Sequence, residues 1–219
     1  LLMKKFDRYD TSALIEAQFE PGSCGRVLKN KLGIKSKHEM DKIERDEQER
    51  AIEKLTSLFG REHRFTSVDI CSMHNIWLGK IYEWAGKYRQ VNVSKGDFHF
   101  AASAQVQKLM FELGIEQLRK FTPCRFGSLE EVVEALAIVH AELVLIHPFR
   151  EGNGRVARML STLMALQAGL PPLDFRGVIG KKKKYYIAAV HAGMRHDYAP
   201  MEKIFRSVIR RTLRIRAQK

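Results

Sequence analysis

One short segment of the 219-residue chain concentrates side chains that can handle a phosphate compound. Residues 147–158 read His-Pro-Phe-Arg-Glu-Gly-Asn-Gly-Arg-Val-Ala-Arg. Gly152 and Gly154 lack a Cβ, so their backbone amides can approach an anion closely. Arg155 and Arg158 are three residues apart, which places both on one helical face. Each guanidinium can form paired hydrogen bonds with phosphate oxygens.

Three more residues of this segment supply a metal ligand, a proton acceptor and a hydrogen-bond donor. Asn153 tolerates a left-handed backbone and can donate an amide hydrogen bond. The Glu151 carboxylate is a hard oxygen ligand at the place where a phosphate-bound Mg²⁺ would lie. Because the ordinary pKa of histidine is about 6.5, His147 can accept a proton near neutral pH. The segment therefore predicts a cradle for the phosphates of a nucleoside triphosphate, with a base at its edge.

Two predicted helices meet at this segment and position it. Ser128 followed by Glu131 predicts a capping box at the start of a helix over residues 129–146. This helix is apolar on most faces, which is typical of a buried central helix, and Pro148 ends it. A second helix is expected over residues 154–167, and the unpaired N–H groups at its start attract phosphate.

The rest of the chain predicts more helices and one hairpin. Apolar residues recur at helical spacing in five other segments, at residues 36–58, 66–84, 103–121, 182–194 and 200–216. Val91 and Val93 alternate with polar neighbours, which predicts a strand over residues 88–94. Residues 98–100 can form its partner after a turn. We therefore expect a mostly α fold, a helical bundle with a central buried helix and one β-hairpin.

The composition excludes several classes of protein. Hydrophobic residues make up 45% of the chain, which is enough to bury a sizeable core and too many for a disordered protein. No apolar run approaches the ~20 residues that a membrane-spanning helix needs, and no signal peptide is recognisable. The three cysteines have irregular spacing and predict neither a disulfide framework nor a zinc site. We therefore expect a cytoplasmic protein without a membrane partner.

The charge balance leaves a different class of function open. The chain has 38 Lys and Arg against 25 Asp and Glu, a formal net charge of +13, which allows a polyanionic partner such as nucleic acid. The basic residues are scattered, however, and no aromatic platform accompanies them. A basic nucleic-acid-binding protein is therefore the weaker alternative. Weak binding to random duplex with a shallow salt dependence would exclude it.

The segment 147–158 resembles the Fic motif, commonly written H-x-F-x-[D/E]-G-N-G-R-x-x-R, at every fixed position. Residues 84–96 are similar to the flap hairpin of that family, and residues 27–34 to its N-terminal segment. The resemblance covers residues 20–205 and implies a single Fic-type domain over residues 1–219. It also implies protein adenylylation. In this reaction AMP moves from ATP to a Ser, Thr or Tyr hydroxyl of a target protein, and diphosphate leaves.

The resemblance also implies a role for each residue of the motif. His147 would be catalytic and deprotonate the target hydroxyl, and Phe149 would anchor the loop in the core. Glu151 would hold Mg²⁺. Lys95 belongs to the flap, whose edge would bind the target segment by strand addition. The ATP-binding residues that it implies are Lys95, Gly96, Glu151, Gly152, Asn153, Gly154, Arg155 and Arg158.

Several alternatives stay open within the family. Doc-type kinases carry Lys where this chain has Gly154, so the resemblance favours attack at the α-phosphorus, with transfer of another nucleotidyl or phospho group as the alternative. A Fic fold kept only as a binding module is disfavoured because His147 and Glu151 are both present. Outside the motif, His140 is expected to pack in the core rather than bind a metal. Tyr185 and Tyr186 are expected to flank the adenine.

Regulation and target are read from the same resemblance. Many Fic proteins are blocked by a helix with the pattern [S/T]-x-x-x-E-[G/N], whose Glu pairs with the second motif arginine, here Arg158. Residues 12–17 match this pattern only in part. We therefore expect either a small antitoxin-type inhibitor as a separate partner or no restraint. Topoisomerase subunits and GTPases are family precedents for the target, which implies a toxin or a translocated effector.

Overall fold

Helices dominate the architecture in the computed structural model, which describes residues 11–178 and 183–218. In chain order they are α1 (Lys37–Leu58), α2 (Ser67–Leu78), α3 (Val106–Glu112), α4 (Arg119–Phe121), α5 (Leu129–Ile146), α6 (Asn153–Gln167), α7 (Lys183–Gly193) and α8 (Ala199–Arg216). Between α2 and α3, strands β1 (Ser94–Lys95) and β2 (Phe98–His99) pair antiparallel. The expected mostly α fold with one hairpin is confirmed.

The central position of α5 follows from its sequence. Ser128 Oγ accepts the backbone N–H of Glu131 at 3.2 Å, and the Glu131 carboxylate accepts the N–H of Ser128 at 3.0 Å, so the predicted capping box is present. Helices α6, α7 and α8 all pack against α5. The buried apolar side chains of α5 join those of its neighbours in one hydrophobic cluster. The predicted central buried helix is therefore confirmed.

The buried stripe of α1 differs from the one expected. Met40, Ala51 and Leu55 are buried as helical spacing requires, but Leu58 is exposed and lies outside the core. Two acidic residues, Glu44 and Glu47, take buried positions on the same stripe. A carboxylate is costly to bury without a partner, so each must be paired.

The predicted extension of α2 to residue 84 is wrong. The helix begins at a capping box between Thr66 and Asp69 and ends at Leu78. The chain then folds back through turns, and the backbone N–H of Gly86 donates to Nδ1 of His74 at 2.8 Å. The apolar residues that suggested more helix, such as Ile81 and Trp84, are buried from this irregular segment. Helical spacing alone does not distinguish the two arrangements.

The predicted strand over residues 88–94 is also mostly wrong, because β1 covers only Ser94–Lys95. The backbone of the preceding residues bonds elsewhere. Arg89 N–H donates to the carbonyl of Pro148 at 2.9 Å, and Gln90 N–H donates to the carboxylate of Glu16 at 2.6 Å. These residues are attached to other elements, so the free hairpin is short.

The remaining predicted helices agree with the structure to within a few residues. Residues 103–121 form one helical run. It begins with a 3-10 turn before α3 and passes through a π-helical segment between α3 and α4. Helix α6 begins at Asn153, and α8 matches the expected range. The predicted start of α7 at residue 182 lies outside the described residues. Among the described helices, none is long and apolar enough to cross a membrane.

Candidate active site

The loop between α5 and α6 has a strained backbone that is held from several sides. His147 caps α5 in a left-handed conformation, with φ 53° and ψ 59°, and Gly152 at the start of α6 has φ 85°. The side chain of Asn153 accepts the N–H of Phe149 at 2.8 Å and donates to its carbonyl at 2.8 Å. At the start of α6, the left-handed backbone conformation therefore belongs to Gly152 rather than to Asn153. The side-chain amide of Asn153 instead holds the loop through its two bonds to Phe149.

His74 of α2 supports the loop from beneath. Its Nδ1 accepts the N–H of Gly86, so in the neutral ring Nε2 carries the proton and donates to the carbonyl of Glu151 at 3.1 Å. Its ring stacks on Phe149 with centroids 3.9 Å apart, and Phe149 is fully buried as expected. Burial lowers the pKa of His74 to about 4, so the ring is neutral at physiological pH.

The imidazole of His147 is oriented by its own helix. Because the carbonyl of Val144 can only accept, the ring Nδ1 donates to it at 3.0 Å, and Nε2 keeps its lone pair. Phe100 of the flap stacks on the ring with centroids 3.6 Å apart. Burial is the main cause that lowers the pKa of His147 to about 4, and the nearby Arg89 adds to this effect. The ring is therefore neutral at pH 7 and able to accept a proton.

In the described part of the chain, the N-terminus of α6 has unpaired backbone N–H groups. Within the described residues, nothing accepts the backbone N–H of Asn153 or Gly154, whereas the next two N–H groups donate to the carbonyl of Gly152. Unpaired N–H groups and the positive end of the helix dipole together attract phosphate. Gly154 lies in the first turn, where an added Cβ would meet only Arg158 Nη1 at 3.5 Å.

The two arginines of the motif have different environments. Arg155 Nη1 donates to the buried carboxylate of Glu44 at 2.6 Å, and its Nη2 lies 3.4 Å from Glu151 Oε1. The Arg155 guanidinium also lies over the ring of Trp77, 4.5 Å from its centroid. Arg158 is largely buried, and burial lowers its pKa, yet no carboxylate among the described residues forms an ion pair with it.

Glu151 fits the requirements of a magnesium ligand. Its side chain is half exposed, and Oε1 accepts the N–H of Gly152 at 2.9 Å, so Oε2 is the oxygen left for a cation. The described residues contain no group of three or more His, Cys, Asp or Glu side chains that could hold a metal ion by themselves. Mg²⁺ is usually bound by one or two carboxylates together with substrate phosphates and water, and Glu151 can supply one such carboxylate.

A cavity of about 610 Å³ joins these groups. Its polar lining includes His147, Glu151 and Arg158 together with the start of α6. Its apolar lining includes Val144, Phe175, Val178, Tyr186, Ile187 and Val190. The volume suits a nucleotide, since small-molecule sites have volumes of about 300–1,000 Å³. The polar groups would hold phosphates and the apolar side chains a base.

The flap covers one side of this cavity. Lys95 and Phe98 line it, while Gly96 forms the hairpin turn with φ 58° and does not line it. Phe98 stacks on His191 of α7 with centroids 4.1 Å apart. Of the two predicted flap residues, only Lys95 is therefore placed at the cavity.

Comparison with known proteins agrees with this geometry. The model of the Fic/DOC family matches residues 64–165, which include α2, the flap, α5 and most of α6. The matched segment, residues 64–165, belongs to the Fic/DOC family. It is 33% identical over 146 residues to "Protein adenylyltransferase fic-1" of Caenorhabditis briggsae, covering 66% of this chain and 27% of that protein. It is 27% identical over 192 residues to "Probable protein adenylyltransferase y4lH" of Sinorhizobium fredii, covering 86% and 93%.

A solved Fic structure shows the same fold. The BepC protein of Bartonella tribocorum, an effector crystallised with bound AMPPNP, superposes with a TM-score of 0.65 at 25% identity, covering 83% of this chain and 91% of that one. The present chain spans only 27% of the length of the Caenorhabditis relative. The family and its fold are therefore shared, whereas the activity of a whole relative does not transfer automatically.

The Fic site also uses residues that the sequence motif does not contain. Glu44, His74 and Arg89 all contact the motif loop or its arginine. Two of them could have been noticed in the sequence, because each is a charged or titratable residue on an apolar helical stripe. Glu44 shares a face with Met40, and His74 shares one with Ile70.

Outside the motif, the predictions concern Tyr185, Tyr186 and His140. Tyr186 lines the cavity of this Fic domain, but Tyr185 is exposed and does not. His140 is buried, with Nδ1 3.0 Å from Ser161 Oγ and Nε2 2.8 Å from the Tyr186 hydroxyl. The prediction that His140 packs in the core is confirmed.

Proposed function

We propose that this Fic domain transfers AMP from ATP to a hydroxyl group of a target protein. The observation that carries the proposal is that one cavity is lined by a neutral His147, by Arg158 and by the start of α6 with its unpaired N–H groups. The names of the curated relatives and the AMPPNP bound by the BepC protein support the same chemistry. The proposal includes the binding of Mg²⁺, ATP and a target protein by this domain.

The proton of the target hydroxyl would pass to Nε2 of His147, the nitrogen whose lone pair is free. The hydroxyl oxygen then forms a bond to the α-phosphorus, the bond from that phosphorus to the bridging oxygen breaks, and diphosphate leaves. A base with a pKa of about 4 is weak, but the negative charge of a bound triphosphate raises the pKa of a nearby imidazole. The site thus combines a neutral base at rest with a stronger base when ATP is bound.

The phosphates would be held by fixed groups. The N–H groups of Asn153 and Gly154 would bind the α- and β-phosphates, and Arg158, with Arg155 beside it, would neutralise the β/γ end. Glu151 would hold Mg²⁺, which, when bound, neutralises phosphate charge. Positioning and charge neutralisation supply most of the catalysis in such transfers. Gly154 leaves the first turn of α6 open, which favours attack at the α-phosphorus.

The target would bind along the exposed edge of the flap. The β1 residues are exposed, and main-chain hydrogen bonds to an added strand would fix a target backbone with few demands on its side chains. A topoisomerase subunit or a GTPase would suit this mode if the modified Ser, Thr or Tyr lies in an extended loop.

Restraint by a separate antitoxin-type partner is part of the proposal. Glu16, the acidic residue of the partial inhibitory pattern, is buried and its carboxylate accepts the N–H of Gln90, so it is committed to the base of the flap. Arg158 has no carboxylate partner among the described residues, and a partner carboxylate could occupy that position. The present protein would act as the toxin in such a pair, either in the cytoplasm or as a translocated effector. The related Bartonella proteins are described as translocated effectors.

The test uses two labels on ATP. The protein is incubated with Mg²⁺ and cell lysate, in parallel with α-³²P-ATP and γ-³²P-ATP, and protein-bound label is measured. After subtraction of the label found in lysate alone, AMP transfer predicts added label from the α-phosphate only, and mass spectrometry of the labelled band identifies the target. Parallel reactions with α-labelled GTP, CTP and UTP test the alternative of another nucleotidyl group.

Matched histidine variants decide the role of His147. The variant His147→Ala should lose labelling by at least ~100-fold. The control His38→Ala removes an exposed histidine of α1 and should label like the wild type. Equal labelling by His147→Ala and wild type, or label from the γ-phosphate alone, would refute the proposed reaction.

A further inference from the structure

Arg89 is a buried cation between the flap and the motif loop. It is 2% exposed, and burial lowers its pKa. Its side-chain hydrogen bonds within the described residues all go to backbone carbonyls: Nε donates to His147 at 2.7 Å, Nη1 to Val91 at 2.8 Å, and Nη2 to Ile146 at 3.3 Å and also to Ala101. One guanidinium therefore joins four carbonyls from two separate elements.

The first pair of carbonyls belongs to the end of α5. A helix leaves its last carbonyls without partners and carries partial negative charge there, and a buried cation satisfies both needs. Arg89 bonds Ile146 and His147 through its side chain and Pro148 through its backbone N–H at 2.9 Å. Three consecutive carbonyls are thus held by one residue.

These three carbonyls surround the strained residue of the site. A residue other than glycine in the left-handed region is unfavourable, so its conformation persists only where its surroundings fix it. His147 has φ 53° and ψ 59°, and this backbone conformation sets the direction of its side chain. Arg89 supplies the fixing contacts on both sides of that residue.

The second pair of carbonyls lies at the two ends of the flap. Val91 precedes β1 and Ala101 follows β2, so Arg89 closes the base of the hairpin. The hairpin itself pairs only two residues on each strand, and such a short hairpin is marginal alone. Its position over the cavity therefore depends on its base and on two ring stacks, Phe100 with His147 and Phe98 with His191.

We propose that Arg89 is a positioning residue that couples the flap to His147. The planar guanidinium of Arg89 holds both the backbone around His147 and the two ends of the flap hairpin. The distance between the imidazole and the flap is therefore fixed before any substrate binds. The inference rests on the proposed function only in that His147 is the base. Lys cannot replace Arg89, because a single ammonium group cannot reach four separate carbonyls.

The test compares Arg89→Lys and Arg89→Gln with wild type in the full chain, using hydrogen–deuterium exchange, ATP affinity and transfer rate. Both variants should speed exchange at residues 91–101 and 147–149 by about 10-fold while the rest of α5 and α8 stays protected. The affinity for ATP should change by less than about 3-fold, since other residues bind the phosphates, while kcat falls about 100-fold. The control Arg64→Lys alters an arginine bonded to the Arg119 carbonyl and should leave all three readouts unchanged.

The exchange readout separates this proposal from the proposed function, because it needs no activity. If wild type transfers no AMP, the proposed function fails while the exchange pattern still tests the coupling. Unchanged exchange in the flap and loop of both variants would overturn the coupling. So would exchange that rises equally throughout the molecule, or the failure of both variants to fold, because either result gives Arg89 a general structural role.

Discussion

Arg155 Nη1 and Glu44 Oε2 lie 2.6 Å apart and join α1 to the motif helix across 111 positions of sequence. Glu44 is 2% exposed, and its other oxygen accepts the Tyr82 hydroxyl at 2.8 Å. The same guanidinium reaches Glu151, the predicted magnesium ligand. The buried carboxylate on α1 therefore fixes an arginine that in turn orients a residue of the site.

Removing the charge of Glu44 should destabilise the protein. Glu44→Gln keeps an oxygen for Tyr82 but leaves Arg155 with only the half-exposed Glu151 as a counter-charge, at 3.4 Å. Breaking a buried pair costs about 3 kcal/mol. Urea unfolding at pH 7 measures this loss of unfolding free energy. The control is Glu47→Gln, one turn further along α1.

Glu47 pairs with Arg50 and Lys80, whose side chains are 68% and 74% exposed, so its removal should cost about 1 kcal/mol or less. Equal losses in the two variants would contradict a special role for the Glu44–Arg155 pair.

A glycine pair of the motif provides a second prediction. In Gly152→Ala the new Cβ would lie 2.7 Å from Trp77 Cζ3 at a backbone φ of +85°, so we expect a loss of at least ~2 kcal/mol in unfolding free energy and weaker ATP binding. Gly154→Ala meets only Arg158 Nη1 at 3.5 Å in a helical backbone, and its stability should stay within ~1 kcal/mol of wild type. Thermal unfolding of both variants checks this, and equal stability would show that Trp77 gives way.

The sequence predicted correctly those helices whose ends are set by residues close by in the sequence. The Ser128–Glu131 capping box and Pro148 define α5 because each acts within one turn of the helix. The end of α2 was mispredicted because its apolar spacing continues to Trp84 although the chain leaves the helix at Leu78. There the hydrogen bond from Gly86 to His74, twelve residues apart, determines the path.

The candidate site divides in the same way. The motif residues are contiguous, so their spacing alone predicted a phosphate cradle. Arg89 lies 58 positions from His147 and Glu44 lies 111 from Arg155, and no local pattern connects such pairs. The commitment of Asn153 to Phe149 was also hidden, because its amide could equally have faced a ligand.

The low pKa of His147 can be tested on the free protein. NMR titration of the imidazole should give a value of about 4, well below the ordinary 6.5 of histidine, because the ring is buried beneath Phe100. Phe100→Ala admits water to the ring and should raise this pKa toward 6.5. Phe111→Ala, which removes an exposed ring of α3, should leave it unchanged. A shift of the same size in both variants would contradict the role of the Phe100 stack.

Stability should fall as the pH is lowered from neutral, because buried histidines must be neutral in the folded protein. Burial lowers the pKa of His140 to about 3, while the unfolded chain has the ordinary value of about 6.5. Between these values the unfolded state binds more protons, so each such histidine lowers the unfolding free energy by ~1.4 kcal/mol per pH unit as the pH falls.

The variant His140→Gln isolates this effect, because glutamine does not titrate. Urea unfolding from pH 7 to pH 4.5 should show a slope of unfolding free energy against pH that is ~1.4 kcal/mol per unit shallower than in wild type, whatever the offset caused by the lost bonds to Ser161 and Tyr186. The control His38→Gln removes an exposed histidine of α1 and should leave the slope unchanged. Parallel curves for His140→Gln and wild type would mean that His140 takes up its proton inside the folded protein, and the neutral ring between Ser161 and Tyr186 would then be wrong.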